Sequence, residues 1–184
     1  MRNILKNRWA LSTVVTTLII LVVSVLLAGV VTYFAINVTS TRVQEEDLAL
    51  TKQHVWYNPA NTTCSSIASI MIINTGGRDV VLQKLTVRGQ EVSWSNVYYV
   101  VTTQSVSADL PYPSGLGNGT VTVGSTAFTT TQATTDMTLQ SGKSLIVYIA
   151  TPDSITINDI GLTVAITVFS SQAMYYKETN VQSA

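Results

Sequence analysis

The sequence predicts an α+β protein: one long hydrophobic α-helix at the N-terminus, followed by an all-β, immunoglobulin-like sandwich head. Three observations carry this. Leu11–Val38 contains no charged residue and no proline. The chain beyond residue 60 holds short runs of apolar residues, several alternating with polar ones at period two. Clusters of Gly, Pro, Asp and Ser separate those runs, as turns do.

The helix comes first. At about 1.5 Å per residue, 28 uncharged and mostly apolar positions span a hydrocarbon core of roughly 30 Å with room to tilt. Arg2, Lys6 and Arg8 precede the apolar run and Glu45-Glu46-Asp47 follows it, which places the N-terminus in the cytoplasm and the rest outside. A cleaved secretory signal has an apolar core of about 7–15 residues and a small-residue cleavage site. This run is longer, and its far end, Thr32–Val38, offers no such site. Good helix formers continue from Thr39 to His54, and Pro59 is the first clear stop. The expected helix is therefore 11–54, roughly 65 Å long, a stalk or a surface for packing against copies of itself.

At about 100° per residue, Thr13, Thr17, Ser24, Ala28, Thr32, Ala35 and Thr39 fall within one arc of that helix. Helices in lipid associate by close packing along small residues, so the stripe reads as a self-association face. Equally, Thr and Ser are tolerated in a membrane helix when their hydroxyls bond to the preceding turn.

The head spans 55–184, roughly 130 residues, enough for one domain with its own core. Ile67–Asn74 is apolar on both faces, as a central strand is, and Gly76-Gly77 makes the next turn. Val81, Leu85 and Val87 form one face of a half-buried strand. Val92–Val101 is rich in aromatic and β-branched residues. Leu145, Val147 and Ile149 alternate, as do Leu162, Val164, Ile166 and Val168. Ser141-Gly142-Lys143 and Pro152-Asp153-Ser154 mark turns. The stretch 102–136, dominated by Thr, Ser, Gly and Ala, reads as a long excursion on the sandwich. Its few core-forming residues are Leu110, Leu116, Val121, Val123 and Phe128.

Charged residues make up 11% of the chain and the net charge is zero. An average soluble protein carries about 25%. No basic patch points to nucleic acid. A surface so poor in charge suits a subunit that buries much of it against neighbours.

The order of these features resembles archaeal type IV pilins and archaellins. A short basic leader ends in Arg8-Trp9-Ala10, Leu11-Ser12-Thr13-Val14-Val15 opens the apolar helix, and a β-sandwich head follows. The resemblance implies a class III signal peptide, 1–10, cut between Ala10 and Leu11 by a membrane prepilin peptidase, with Arg8 and Lys6 supplying charge. It implies that the mature helices leave the membrane and bundle as the core of a helical homopolymer built by pilus assembly machinery. Trp9 departs from the family pattern, which has a basic residue there.

Three Asn-x-Thr triplets begin at Asn37, Asn61 and Asn118. In an exported chain each is a potential N-glycan acceptor. Asn37 lies at the membrane edge, whereas Asn61 and Asn118 fall in expected loops. His54 and Cys64 are the chain's single histidine and cysteine; a Cys–His pair can be nucleophile and base, but a lone Cys usually packs as a small hydrophobe. Asp79, Asp109, Asp136, Asp153 and Asp159 lack calcium-loop spacing, and no Gly-rich phosphate loop precedes a helix. The sequence thus points to no catalytic residue, cofactor or metal. Two functions fit: a surface filament subunit for adhesion or motility, or an uncleaved, membrane-anchored β-sandwich binding module.

Overall fold

A computed structural model describes residues 4–113, 116–117 and 119–184; for 4–11 and 42–44 the backbone alone is described. The chain divides into two compact units, Met1–Val43 and Gln44–Ala184.

Helix α1, Ile4–Gln44, lies in the first unit except for its last residue. Ser12–Thr41 within it, with mean hydropathy 2.9, is long and apolar enough to cross a membrane. Every side chain from Ser12 to Thr41 is exposed, including Leu21, Leu26, Val31 and Phe34. The apolar surface runs all round the helix, the pattern of a span or a core helix rather than of a helix lying on a globular domain.

The helix ends at Gln44 and not near His54 as expected. Leu48–Tyr57 is strand β1. The residues from Thr39 onward have helical propensity, but propensity is a weak prior against tertiary pairing. Here β1 pairs on both sides and buries Leu48, Leu50 and Val55 in the main core. Thr51, Val55, Trp56 and Tyr57 also suit a pleated surface.

The second unit is the β head. Its strands are β1, β2 (Ser66–Asn74), β3 (Val80–Val87), β4 (Gln90–Glu91), β5 (Val97–Thr102), β6 (Thr120–Val123), β7 (Thr126–Thr129), β8 (Thr131–Gln132), β9 (Met137–Leu139), β10 (Ser144–Ala150), β11 (Thr163–Ser170) and β12 (Met174–Ser183). One curled sheet runs β4-β3-β11-β12-β1-β2-β10-β5-β8, with β9 also on β3. Its pairings are antiparallel except β1–β12, where Val55–Tyr57 runs parallel to Val181–Ser183. The two halves of the sheet face each other across the main core. Ala68, Ile70, Ile72, Leu145, Val147 and Ile149 meet Leu82, Leu85, Val87, Val164, Ile166 and Val168 there. This is a sandwich-like head behind a long helix, as the sequence predicts.

Two alternations shift in detail. Leu82 and not Val81 enters the core, because the β3–β11 register slips between Lys84 and Leu82. Leu162 precedes β11 and is exposed.

The excursion does more than decorate the surface. Residues 103–113 cross the outer face of β1, β2 and β10 as a strap, and β6–β7 form a separate hairpin. Leu110, Val121, Val123 and Phe128 pack on Trp56, Ile67, Met71, Ile146 and Tyr148, with Leu116 half-buried against them. That is a second core, which explains why β2 and β10 are apolar on both faces.

Candidate functional site

The first candidate is the surface of α1. Thr17 Oγ1 donates to the Thr13 carbonyl at 3.0 Å, Ser24 Oγ to Ile20 at 2.6 Å, Thr32 Oγ1 to Ala28 at 2.7 Å and Thr39 Oγ1 to Ala35 at 2.8 Å. Thr16 and Thr41 bond in the same way to Ser12 and Asn37. These hydroxyls spend their protons on their own helix, which lets them sit in an apolar medium. What they then present outward is small and nearly apolar, so back-bonding and close packing are compatible uses of one stripe. α1 runs through Ala10 and Leu11 without a break in its backbone, while the side chains of Arg8, Ala10 and Leu11 lie outside the described residues.

The second candidate is a polar cluster beneath the strap. A bulge makes it: the β1–β2 register slips between Thr51 and His54, with Lys52 at φ 54. Before the bulge the even residues Leu48 and Leu50 face the main core; after it the odd residue Val55 does. His54 and Trp56 are thereby turned to the opposite face, under the strap.

Hydrogen bonds and ring contacts fasten the strap there, among them the hydrogen bond from Asn58 Nδ2 to Tyr112 Oη at 3.4 Å. Lys52 Nζ donates to the carbonyls of Ser107 at 2.7 Å and Ala108 at 2.6 Å. His54 Nε2 lies 2.9 Å from Asp109 Oδ1. The His54 ring stacks on Trp56 with centroids 5.0 Å apart, and Tyr112 meets Trp56 edge-on at 5.8 Å. Tyr148 Oη donates to the Pro111 carbonyl at 3.2 Å. The hydrogen bond from His54 holds the Asp109 carboxyl below the usual carboxylate range, helped by the charges of His54 and Lys52. Burial, with Asp109 nearby, pushes the Tyr148 phenol far up, so it stays a neutral donor.

Ser69 stands directly opposite His54 in the β1–β2 register. Asp109, His54 and Ser69 thus follow one another in the order of a hydrolase triad, and His54 Nδ1 and Ser69 Oγ are both buried without a hydrogen-bond partner. A nucleophile must also meet its substrate. Ser69 is 0% exposed beneath the second core, so this arrangement offers no approach to it.

Cys64 is buried, its thiol directed at the Ser66 carbonyl at 3.6 Å. Burial pushes that thiol up, so it stays protonated. Cys64 and His54 therefore have separate partners, and the pairing weighed from sequence is not made. Asn61 sits in the turn after β1, where its Oδ1 accepts from the amides of Thr63 at 3.2 Å and Cys64 at 3.0 Å. Asn37 is within α1. Asn118 lies outside the described residues.

Sequence alone missed the strap cluster. Its signal was the break in alternation between Leu50 and Val55, which a helix reading of 39–54 conceals.

No protein-family model matches the chain. No curated protein matches it. Among solved structures it is similar to the ligand binding region of Serine-glutamate repeat protein A of Enterococcus faecium, at 14% identity over 76% of this chain and 98% of that one. The TM-score is 0.27. An apolar N-terminal helix long enough to span a bilayer, followed by a β-sandwich-like head, is compatible with a cell-surface protein.

Proposed function

We propose that this chain is the structural subunit of an extracellular, archaeal type IV pilus-like filament, used for adhesion or motility. One observation supports it above the others: Ser12–Thr41 is strongly apolar and wholly exposed, with the hydroxyls of Ser24, Thr32 and Thr39 bonded to its own backbone. Such a surface needs lipid before assembly and copies of itself afterwards. On this reading the chain waits in the cytoplasmic membrane with its N-terminus inside. A prepilin peptidase then cuts between Ala10 and Leu11, with Arg8 in the recognised leader. Assembly machinery extracts the subunit, α1 joins the filament core and the sandwich forms the sheath, with Asn61 and Asn118 as glycan acceptors. No cofactor enters this function.

The test is direct. Cells are sheared, extracellular filaments are collected and the N-terminus of this protein is determined. A polymerised chain that begins at Leu11 is the expected result. A chain that keeps Met1–Ala10 and stays with the membrane fraction overturns the filament reading. It would favour the alternative, a membrane-anchored binding module, which the bilayer-spanning length of Ser12–Thr41 also suits.

A further inference from the structure

We propose that the strap over residues 103–113 is a proton-sensitive latch: the His54–Asp109 pair fastens it over the second core, and loss of the Asp109 charge in acid frees it while the sandwich stays folded.

The geometry separates the latch from the fold. The strap lies between β5 and β6, and its backbone joins no strand of the main sheet. Polar contacts at four places hold it, beside its buried anchor Leu110: Lys52 on the Ser107 and Ala108 carbonyls, His54 on Asp109, Tyr148 on the Pro111 carbonyl, and Asn58 Nδ2 on Tyr112 Oη. The sheet beneath rests on its own hydrogen bonds and on the main core, where strap residues take no part. Freeing the strap therefore uncovers part of one apolar layer, around Trp56 and Tyr148, without breaking a sheet ladder.

The charge inventory singles out Asp109. From β1 the cluster receives Lys52 and His54; from the strap, Asp109 and Tyr112; from β10, Tyr148; β2 contributes the uncharged Ser69. Asp109 is the one carboxylate in that set, and it faces both Lys52 and His54. Protonating it leaves the Lys52 ammonium beside the strap with no counter-charge, and weakens the charge-assisted hydrogen bond from His54. The direction is fixed by linkage: a carboxylate held low in the folded state stabilises the closed strap above its ordinary range, and that contribution is lost as pH falls through the lowered value.

The proposal stands apart from the filament reading, because it concerns the head of a single chain. Hydroxyl-radical labelling of Tyr112 on the strap, and deuterium uptake of β2 and β10, are followed by mass spectrometry on the full chain in detergent at pH 7 and pH 3. Tyr112 should lose protection from labelling by about three- to tenfold at pH 3, while the β2 and β10 amides keep theirs. Asp109→Asn should show that low protection already at pH 7, with little further change in acid. His54→Gln, which keeps a neutral donor, should fall between them. A wild-type strap equally protected at both pH values overturns the latch. So does a strap that loses protection only together with β2, since the wild-type comparison needs no variant to fold.

Discussion

Gly76 packs its α-carbon against the backbone of Glu45: a Cβ at position 76 would stand 2.6 Å from the Glu45 carbonyl oxygen and 2.7 Å from the Asp47 amide nitrogen. The turn that carries Gly76 grips the first residues of the head. The amides of Thr75 and Gly76 donate to the Asp47 carbonyl at 3.0 and 3.1 Å, and that of Gly77 to Glu45 at 3.3 Å. Both atoms facing Gly76 belong to backbone and cannot swing away. Gly76→Ala should therefore lower the stability of the head by about 2 kcal/mol, seen as a lower thermal midpoint in circular dichroism of the β signal. Gly142→Ala is the comparison. Its site is open but has φ +74, so backbone strain alone should give about 1 kcal/mol. Equal midpoints for Gly76→Ala and wild type would show that the turn yields freely.

Asp159 predicts an acid-labile contribution elsewhere in the head. Its Oδ2 accepts from the Thr156 hydroxyl at 2.8 Å and the Thr156 amide at 2.7 Å, and its Oδ1 from Arg88 Nη1 at 2.7 Å. These donors hold the carboxyl below the usual carboxylate range. A carboxylate with a lowered folded-state value stabilises at pH 7 and loses that contribution as pH falls through it. Asp159→Asn should thus unfold at lower denaturant than wild type at pH 7, and the gap should narrow at pH 3. A gap of unchanged width at pH 3 would mean that the carboxylate's charge has no part in holding the loop.

How far these features could be read from sequence depended on whether local pattern or distant pairing decided them. Leu11–Val38 is legible because twenty-eight uncharged positions leave few alternatives. Ile67–Asn74 is legible because a strand apolar on both faces must be central, and it lies between β1 and β10. The segment Leu48–Tyr57 misled for the opposite reason. Its composition permits a helix, and only pairing with residues 66–74 and 181–183 makes it a strand. The strap cluster needed more still. Asp109 lies fifty-five residues from His54, and a bulge at Lys52 brings them together. Thr102–Asp136 reads as a polar excursion because its buried apolar anchors, Leu110, Val121, Val123, Phe128 and Ala133, are few among many Thr and Ser.

Among the Asn-x-Thr triplets whose acceptor is described, the structure favours Asn61. Its side chain lies in an irregular turn and uses Oδ1 to accept from the amides of Thr63 and Cys64, whereas Asn37 is inside α1 and within the bilayer-length span. A glycan acceptor must be reachable in a surface segment. In protein purified from its own cells, Asn61→Gln and Thr63→Ala should each remove the same mass increment, and Asn37→Gln should leave the mass of the attached glycan unchanged. If neither change at the turn alters the intact mass, the turn is unmodified.

Ala28 and Thr32 separate the two uses of the helix stripe. The Thr32 hydroxyl already donates to the Ala28 carbonyl at 2.7 Å, so it has no proton left for a neighbouring helix. Removing it in Thr32→Ala keeps the position small and should leave assembly nearly unchanged. Ala28→Asp instead puts a charge on an apolar surface that buries against lipid or against other copies, where an unpaired carboxylate is strongly disfavoured. Filaments should then be lost, while the head keeps its wild-type thermal midpoint because α1 and the head are separate compact units. Ala28→Leu refines the result: it is neutral towards lipid but too large for close helix packing, so it should let the chain reach the membrane and still block polymerisation. Electron microscopy of sheared material and the membrane-fraction yield read out both steps. Normal filaments from Ala28→Leu would mean that the helices do not pack along the stripe that contains Ser24, Ala28, Thr32 and Ala35.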